Sequence, residues 1–514
     1  MRRLSILAVS ALRLPILSLA SPLSPSTLDS DDASNTTPYL SFPHSPRHGS
    51  AFLPSSSDSD ASNLDQLSLL AEPTNPAPAW NRHPLSSRDD LQPIDPSRID
   101  KRAVVSQVDL PFPPSAWVDI NDLSTLARLS QAAVSRMQTW YKGGQIPPYQ
   151  WTGWWQAPVL GIAYTNLDLA LGNHANELVA RDLLNRNDHG TQWMIDKYVD
   201  DQSWWAMFAL RAYQAYGNET WLDMVKVVSD NNTRYWDDTC GGGVLWLTYR
   251  PLIKNTITNG LYMGILTRLY RYTGNSTYFD QSVDTLNWWL DWGFDPTNGR
   301  VLDTVTASSS GAPLSSCSQT GEQTWTYNSG AFLFGITDLY YATGNTKLLD
   351  LGRTIAYAAI RDFTEESTGI LTESCENDPP PGEDLPPGCQ QDETVFKGIL
   401  MLGLAELYVA RPDPNIYNFV NTQLLSNVYN NVDDTWLFGM WWGGPWNETT
   451  AGPKTQINAI ALLSAAATIN ADFLSRSNSP GLRPTGSGVT DQIAVPTGTN
   501  RNANNVGAGA QQGG

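Results

Sequence analysis

The feature that most constrains the fold is a repeat. Leu269-Tyr270-Arg271-Tyr272-Thr273-Gly274-Asn275-Ser276-Thr277-Tyr278-Phe279-Asp280 is echoed by Leu339-Tyr340-Tyr341-Ala342-Thr343-Gly344-Asn345-Thr346-Lys347-Leu348-Leu349-Asp350. Weaker copies centre on Gly217-Asn218 and Gly172-Asn173. In each copy an apolar helical run stops at Gly, where a left-handed C-cap meets no Cβ clash, and a second run starts within a few residues. Each copy therefore reads as a helical hairpin. A further pair without this signature spans 396–408 and 416–425, and a first helix spans 123–141. Five or six hairpins, spaced more widely than common solenoid repeats, can stack as an open superhelix or close into a ring. A closed ring of six, the all-α (α/α)6 barrel, fits the count. The long irregular connections 236–254, 291–328 and 373–392 carry the conspicuous residues, and loops are where binding residues usually lie.

The ends of the chain read differently. Arg2-Arg3, an apolar run over 4–12 interrupted soon after by Arg13, and Ser18-Leu19-Ala20 make residues 1–20 a cleavable secretory signal. Residues 21–102 are rich in Ser, Pro, Asp and Asn without helical or strand period, so they form a disordered leader or pro-region. It ends at Lys101-Arg102, either a processing site or a chance basic pair. Residues 103–475 are the folded domain, and 476–514 return to Ser, Gly, Asn and Thr as a disordered tail. No apolar tail of the kind that signals a GPI anchor follows, and no segment reads as a membrane span, so no stable membrane anchor is expected. An extracellular, cell-wall-associated location fits four sequons, at Asn218, Asn231, Asn275 and Asn447. It also fits an even set of four cysteines. Cys375 and Cys389 bracket the Pro-rich stretch 378–388 and are expected to pair, leaving Cys240 with Cys317.

Charge and histidine content exclude several chemistries. A net charge of −19 and a pI near 4.6 oppose nucleic-acid binding, which needs basic surface. Of five histidines, His44, His48 and His83 fall in the leader. His174 and His189 lack zinc-ligand spacing and no Gly-x-Ser-x-Gly accompanies them, so neither a metal nor a cofactor is expected. By contrast, the chain holds 20 Trp and 20 Tyr, most of them between residues 117 and 446. Large rings fill cores, but they also form platforms on which the C–H faces of sugars pack.

Asp200 and Asp201 stand at the start of a helix marked by Trp204, Trp205, Phe208, Ala209 and Ala212. An Asp there is a favoured N-cap, and the dipole favours a carboxylate. One cap needs only one Asp. A second adjacent charge adds repulsion that drives the two proton affinities apart, which is what an acid and a nucleophile require. The run Cys240-Gly241-Gly242-Gly243 before Trp246 is no phosphate loop, since no Lys-Ser/Thr follows. Its glycines let backbone approach a bound sugar, or make a tight turn. Tyr249, Lys254, Asn255 and Asn259 follow; Asn255, Asn259 and Asn328 suit vicinal hydroxyls, or cap helices. Trp155, Trp204, Trp205, Trp246 and Tyr327 are the aromatic candidates for sugar contact.

Four motifs in order carry a resemblance. They are Tyr198-Val199-Asp200-Asp201-Gln202-Ser203-Trp204-Trp205-Ala206, Gly241-Gly242-Gly243 with Trp246, Lys254-Asn255-Thr256-Ile257-Thr258-Asn259, and Thr326-Tyr327-Asn328-Ser329-Gly330. Over roughly residues 117–475 the chain resembles glycoside hydrolase family 76, the endo-α-1,6-mannanases and their fungal cell-wall relatives. The resemblance implies an (α/α)6 barrel and a retaining mechanism on α-1,6-linked mannan or manno-oligosaccharides. Asp200 would then be the nucleophile and Asp201 the general acid/base. Asp303 falls where the family has another cleft aspartate, though its flanks match poorly. Gln202-Ser203 replaces the more usual Glu-Gly. Three other readings stand beside a mannanase: a transglycosylase acting on the mannose core of GPI-linked wall proteins, a non-catalytic mannan-binding protein, and a helical scaffold.

Overall fold

A computed structural model describes residues 118–477, except 187–193, 250–251, 308, 312, 321–323, 378–388 and 390–391. The expected secretory signal, leader, dibasic site, His189 and nearly all of the tail lie outside the described residues. Twelve α-helices are present among those described: α1 (Leu123–Gln138), α2 (Gln156–Leu171), α3 (Glu177–Arg186), α4 (Val199–Tyr216), α5 (Glu219–Thr233), α6 (Thr256–Thr273), α7 (Ser276–Trp292), α8 (Thr326–Thr343), α9 (Thr346–Phe363), α10 (Phe396–Ala410), α11 (Pro414–Asn430) and α12 (Pro453–Ser477).

The even-numbered helices are buried on nearly every face, whereas α1, α3, α5, α7 and α9 bury one face and α11 is largely buried, so the even-numbered ones line the interior. Each inner helix packs against the next, and α12 packs against α2, closing a ring of six. Outside them, α3, α5, α7, α9 and α11 each return along the inner helix they follow, while α1 packs on α12. The (α/α)6 expectation holds, with a sixth hairpin assembled from the two ends of the folded chain. α12 carries no Gly-Asn signature, and its outer partner α1 comes from the other end of the described residues. It is also long and apolar enough to cross a membrane, contrary to the sequence reading, but most of it is buried within the barrel.

The repeat does what its residues dictate. Gly172, Gly217, Gly274 and Gly344 end inner helices with φ of +63°, +72°, +72° and +71°. Asn218, Asn275 and Asn345 then cap the outer helices by accepting the backbone N–H groups of Thr220, Thr277 and Lys347, each at 3.1 Å. Inner helices also approach closely where side chains vanish. A Cβ on Gly330 of α8 would lie 2.4 Å from the Ile399 carbonyl of α10.

Tight turns at one end force the long returns to the other, so the long loops gather where the inner helices begin. They hold an antiparallel sheet that sequence did not foresee, β1 (Ile253–Asn255), β4 (Thr304–Ala307) and β5 (Cys317–Thr320) in the order β1-β4-β5. β2 (Phe294–Asp295) pairs with β3 (Arg300–Val301). Cys240–Cys317 ties the α5–α6 loop to β5, and Cys375–Cys389 closes the α9–α10 loop. The opposite end is plugged by charge. Arg268 of α6 bonds Asp338 of α8 at 2.5 Å and Glu406 of α10 at 3.0 Å, and Arg211 of α4 reaches the same Glu406 from across the ring.

Candidate active site

α4 brings the aspartate pair to the mouth where the loops gather. Its N-cap is Tyr198, whose side chain makes no capping bond, so neither aspartate caps the helix. The Val199 N–H is taken instead by the Trp246 carbonyl at 2.9 Å, and Thr248 N–H donates to the Lys197 carbonyl at 3.0 Å. The stretch Trp246 to Thr248 thus runs antiparallel to Lys197–Val199. This pairing delivers the Trp246 indole Nε1–H to Asp200 Oδ2 at 3.1 Å, while the Asp201 N–H donates to Asp200 Oδ1 at 3.1 Å.

Those two donors separate the proton affinities. Burial pushes Asp200 up to about 7, and its hydrogen bonds oppose the rise. Asp201 is driven well above the usual carboxylate range, first by burial and then by the charges of Asp200, Asp196 and Asp392, against a small opposing effect of Lys197. The N–H donors on Asp200 favour its carboxylate, and the charge of an ionised Asp200 favours the protonated form of Asp201. One ionised and one protonated carboxyl is the state that nucleophilic attack with acid assistance requires.

Asp392 was not singled out from sequence. It is exposed at the mouth, in a 3-10 turn (Asp392–Val395) leading into α10, and Gln156 at the start of α2 donates to its Oδ1 at 3.1 Å. Its position at the entrance of an inner helix, where the aspartate pair also stands, is the signal that could have found it. Glu373 was also missed: it is buried, accepts the Thr326 N–H at 3.3 Å and the Thr326 hydroxyl, and so caps α8.

Several expected sugar ligands turn out to build the loop instead. Lys254 is 2% exposed, and its ammonium donates to the carbonyls of Asp237, Thr239 and Gly242. Asn259 is buried and pairs both ways with the Val244 backbone, at 2.7 and 3.0 Å, and Asn255 caps α6 through the Thr258 N–H. The glycines approach rings of the protein itself: a Cβ on Gly242 or Gly243 would lie 2.7 Å from Trp236 or Trp288. Trp204 and Trp205 are buried. Trp155 stacks on Trp204 at 6.1 Å and Trp154 meets Trp205 at 5.4 Å, fastening the α1–α2 loop to α4. Gln202 and Ser203 are buried with Asn232 in a network that holds α4 to α5.

Other candidates remain at the mouth. Asp303 meets Asn328, whose Nδ2 donates to its Oδ1 at 2.6 Å, and Thr304 donates to its Oδ2 at 2.8 Å. Burial raises the Asp303 carboxyl. Asn328 is itself buried, with its Oδ1 unpartnered among the described residues. Tyr327 stacks on Phe396 at 3.9 Å, and Tyr249 is half exposed beside the α4 entrance. Among the sequons, Asn218 and Asn275 are helix caps, Asn447 lies in the α11–α12 loop, and Asn231 has its amide nitrogen buried.

The sequence profile of glycosyl hydrolase family 76 matches residues 125–477, over two thirds of the chain and the whole ring of helices. The chain belongs to glycoside hydrolase family 76. Among family relatives, the mannan endo-1,6-alpha-mannosidase DFG5 of Saccharomyces cerevisiae is 24% identical over 62% of this chain and 70% of its own length. The α-1,6-mannanase of Salegentibacter sp. HEL1_6 superposes with a TM-score of 0.58 at 19% identity, over 67% of this chain and 99% of its own. That enzyme was solved as an inactive variant with two consecutive aspartates changed to asparagine, in complex with α-1,6-mannotriose. Dfg5 from Chaetomium thermophilum, solved in complex with glucosamine, gives 0.58 at 20% identity over 68% of this chain and 92% of its own. As a member of family 76 the chain is a glycoside hydrolase by descent, and its barrel is the family's fold.

Proposed function

We propose that this protein is a secreted retaining hydrolase of α-1,6-mannosidic bonds in mannan, with Asp200 as nucleophile and Asp201 as general acid/base. The observation that carries the reading is the unequal pair at the α4 entrance, Asp200 held by two N–H donors and Asp201 keeping its proton. The inactivity of the Salegentibacter enzyme without its own consecutive aspartates supports it. Asp200 attacks the anomeric carbon as Asp201 protonates the departing oxygen, giving a mannosyl-enzyme ester and a shortened chain. Asp201, now ionised, takes a proton from water, whose oxygen attacks the same carbon and releases Asp200 as carboxylate. A retaining geometry calls for carboxyls about 5 to 5.5 Å apart.

The test uses purified full-length protein with unbranched α-1,6-mannan, beside Asp200→Asn and Asp201→Asn. The wild type should release oligosaccharides whose first-formed anomer by NMR is α, and each variant should lose roughly 100-fold or more. Undiminished activity in either variant removes that residue from its role. Binding without release would make the protein a mannan-binding module. A second reading keeps the same two carboxyls and lets a sugar hydroxyl replace water in the last step. Longer products on adding a sugar acceptor would select it.

A further inference from the structure

Among the described residues four non-glycine residues have a positive φ: Trp151, Met194, Cys240 and Trp436, at 60° to 63°. All four lie in loops that lead into inner helices, at the mouth of the ring. For three of them the side chain explains the strain, since Met194 and Trp436 are buried and Cys240 is held by its disulfide. Trp151 is different. Its indole is 68% exposed, the most exposed large apolar side chain described, so its own packing offsets nothing.

The loop beneath it is nonetheless firmly built. Lys142 N–H meets the Pro148 carbonyl at 2.8 Å, Gln150 N–H the Trp140 carbonyl at 3.0 Å, and the Thr152 hydroxyl the Tyr149 carbonyl at 3.0 Å. Three and four residues on, Trp154 and Trp155 rest on Trp205 and Trp204, one helical turn past the aspartate pair. A second exposed ring, Tyr249 at 51%, follows Thr248, which is bonded to Lys197 at the α4 entrance. The ring order sets their relation. α2 and α6 are the two inner neighbours of α4, and the loops entering them carry Trp151 and Tyr249 respectively.

We propose that Trp151 and Tyr249 are stacking platforms for sugar rings on the two sides of the bond that is cut, so that a chain lies across the α4 entrance and is cleaved internally. The proposal rests on the mannan reading above. Rigid exposed rings gain contact with the C–H faces of a pyranose at little entropic cost. A neutral polyol also needs no counter-charge at a mouth crowded with Asp196, Asp200, Asp201 and Asp392.

Trp151→Ala, Trp151→Phe, Tyr249→Ala and the double alanine variant are compared with Val227→Ala, an exposed apolar residue on the outer helix α5. KM and kcat are measured on unbranched α-1,6-mannan and on α-1,6-mannotriose. Each platform-to-alanine change should raise KM for the polymer roughly ten-fold with a smaller effect on kcat, and Phe at 151 should recover part of the loss. The loss should be smaller on the trisaccharide, which has only three rings to divide between the two sides of the bond and fewer to spare for the platforms than the polymer has. Platform variants that match Val227→Ala on the polymer overturn the proposal, as does an equal loss on both substrates. If the wild type cleaves nothing, the mannan reading of the chemistry fails separately. The platforms are then read by calorimetric binding of mannan, where unchanged affinity in the double variant overturns them and a roughly ten-fold or greater loss supports them.

Discussion

Trp246→Phe isolates the one side-chain donor among the contacts that divide the aspartate pair. Phenylalanine keeps a ring against Tyr198, now at 5.3 Å, and leaves the backbone pairing of Trp246 with Val199 intact. What disappears is the indole N–H on Asp200 Oδ2. A hydrogen bond to a charged acceptor contributes about 1.5 to 3 kcal/mol, and 1.36 kcal/mol is one pKa unit, so Asp200 should rise by about one to two units. In the proposed mechanism Asp200 attacks as the carboxylate, hence the acid limb of the activity profile should move to higher pH. Well below that limb the variant should lose roughly 10- to 100-fold in kcat/KM for α-1,6-mannan; above it the two enzymes should converge until Asp201 loses its proton. Reducing-sugar release from pH 4 to pH 9 measures this. A loss of the same size at every pH would refute the reasoning, because it would place the indole in substrate contact instead of in control of Asp200.

Asp392→Asn removes a negative charge that raises both aspartates, so both limbs of the same profile should move to lower pH; a shift of either limb upward contradicts the placement of Asp392. Lys254→Met strips three carbonyls and Asp237 of their buried donor and should cost about 3 to 5 kcal/mol in urea unfolding, beyond the effect of the exposed Lys226→Met. Gly330→Ala places a Cβ against the α10 backbone and should cost about 3 kcal/mol or more, whereas Gly452→Ala, with nothing nearby, should be close to neutral. Asp200 at about 7 and Glu373 at about 8 bind protons in the folded state that they release when unfolded, so the stability they confer is full below pH 4 and is lost as pH rises through 7 to 8. Tm should therefore fall between pH 5 and pH 8, and Asp200→Asn or Glu373→Gln should flatten that decline.

Three hairpins were legible because each depends on a local event, a Gly that ends one helix and an Asn that caps the next. α12 was not, since it is recognised only by the helix α1 that closes on it from the far end of the domain. The strands escaped notice because two to four residues carry too little period to stand out. In the site, Asp200, Asp201 and Trp246 could be picked out by residue type and place. Lys254, Asn255 and Asn259 could not be sorted the same way, because a polar side chain near a helix start serves a ligand or a backbone equally well. Burial decides between them, and burial here depends on how β1 pairs with β4 and how the Cys240–Cys317 bridge folds the loop. Asp392 and Glu373 lie in one loop and face opposite ways, one to the mouth and one into the core.

The helix dipole alone does not distinguish the two aspartates. Both lie in the first turn of α4, where the dipole favours ionisation of either by a similar amount. The asymmetry enters through the donors that only Asp200 receives, the backbone N–H groups of the first turn and the Trp246 N–H, which the α5–α6 loop supplies. That loop is held by residues that touch no carboxylate of the pair: Lys254 gathers its carbonyls, Asn259 fixes Val244, and the glycines fit it against Trp236 and Trp288. The motifs that resemble a sugar-binding set thus keep one indole where it lowers the proton affinity of Asp200. It follows that whatever activity Lys254→Met retains should have its acid limb displaced toward higher pH, in the same direction as Trp246→Phe. A residual activity with an unmoved limb would separate the loop from the pair.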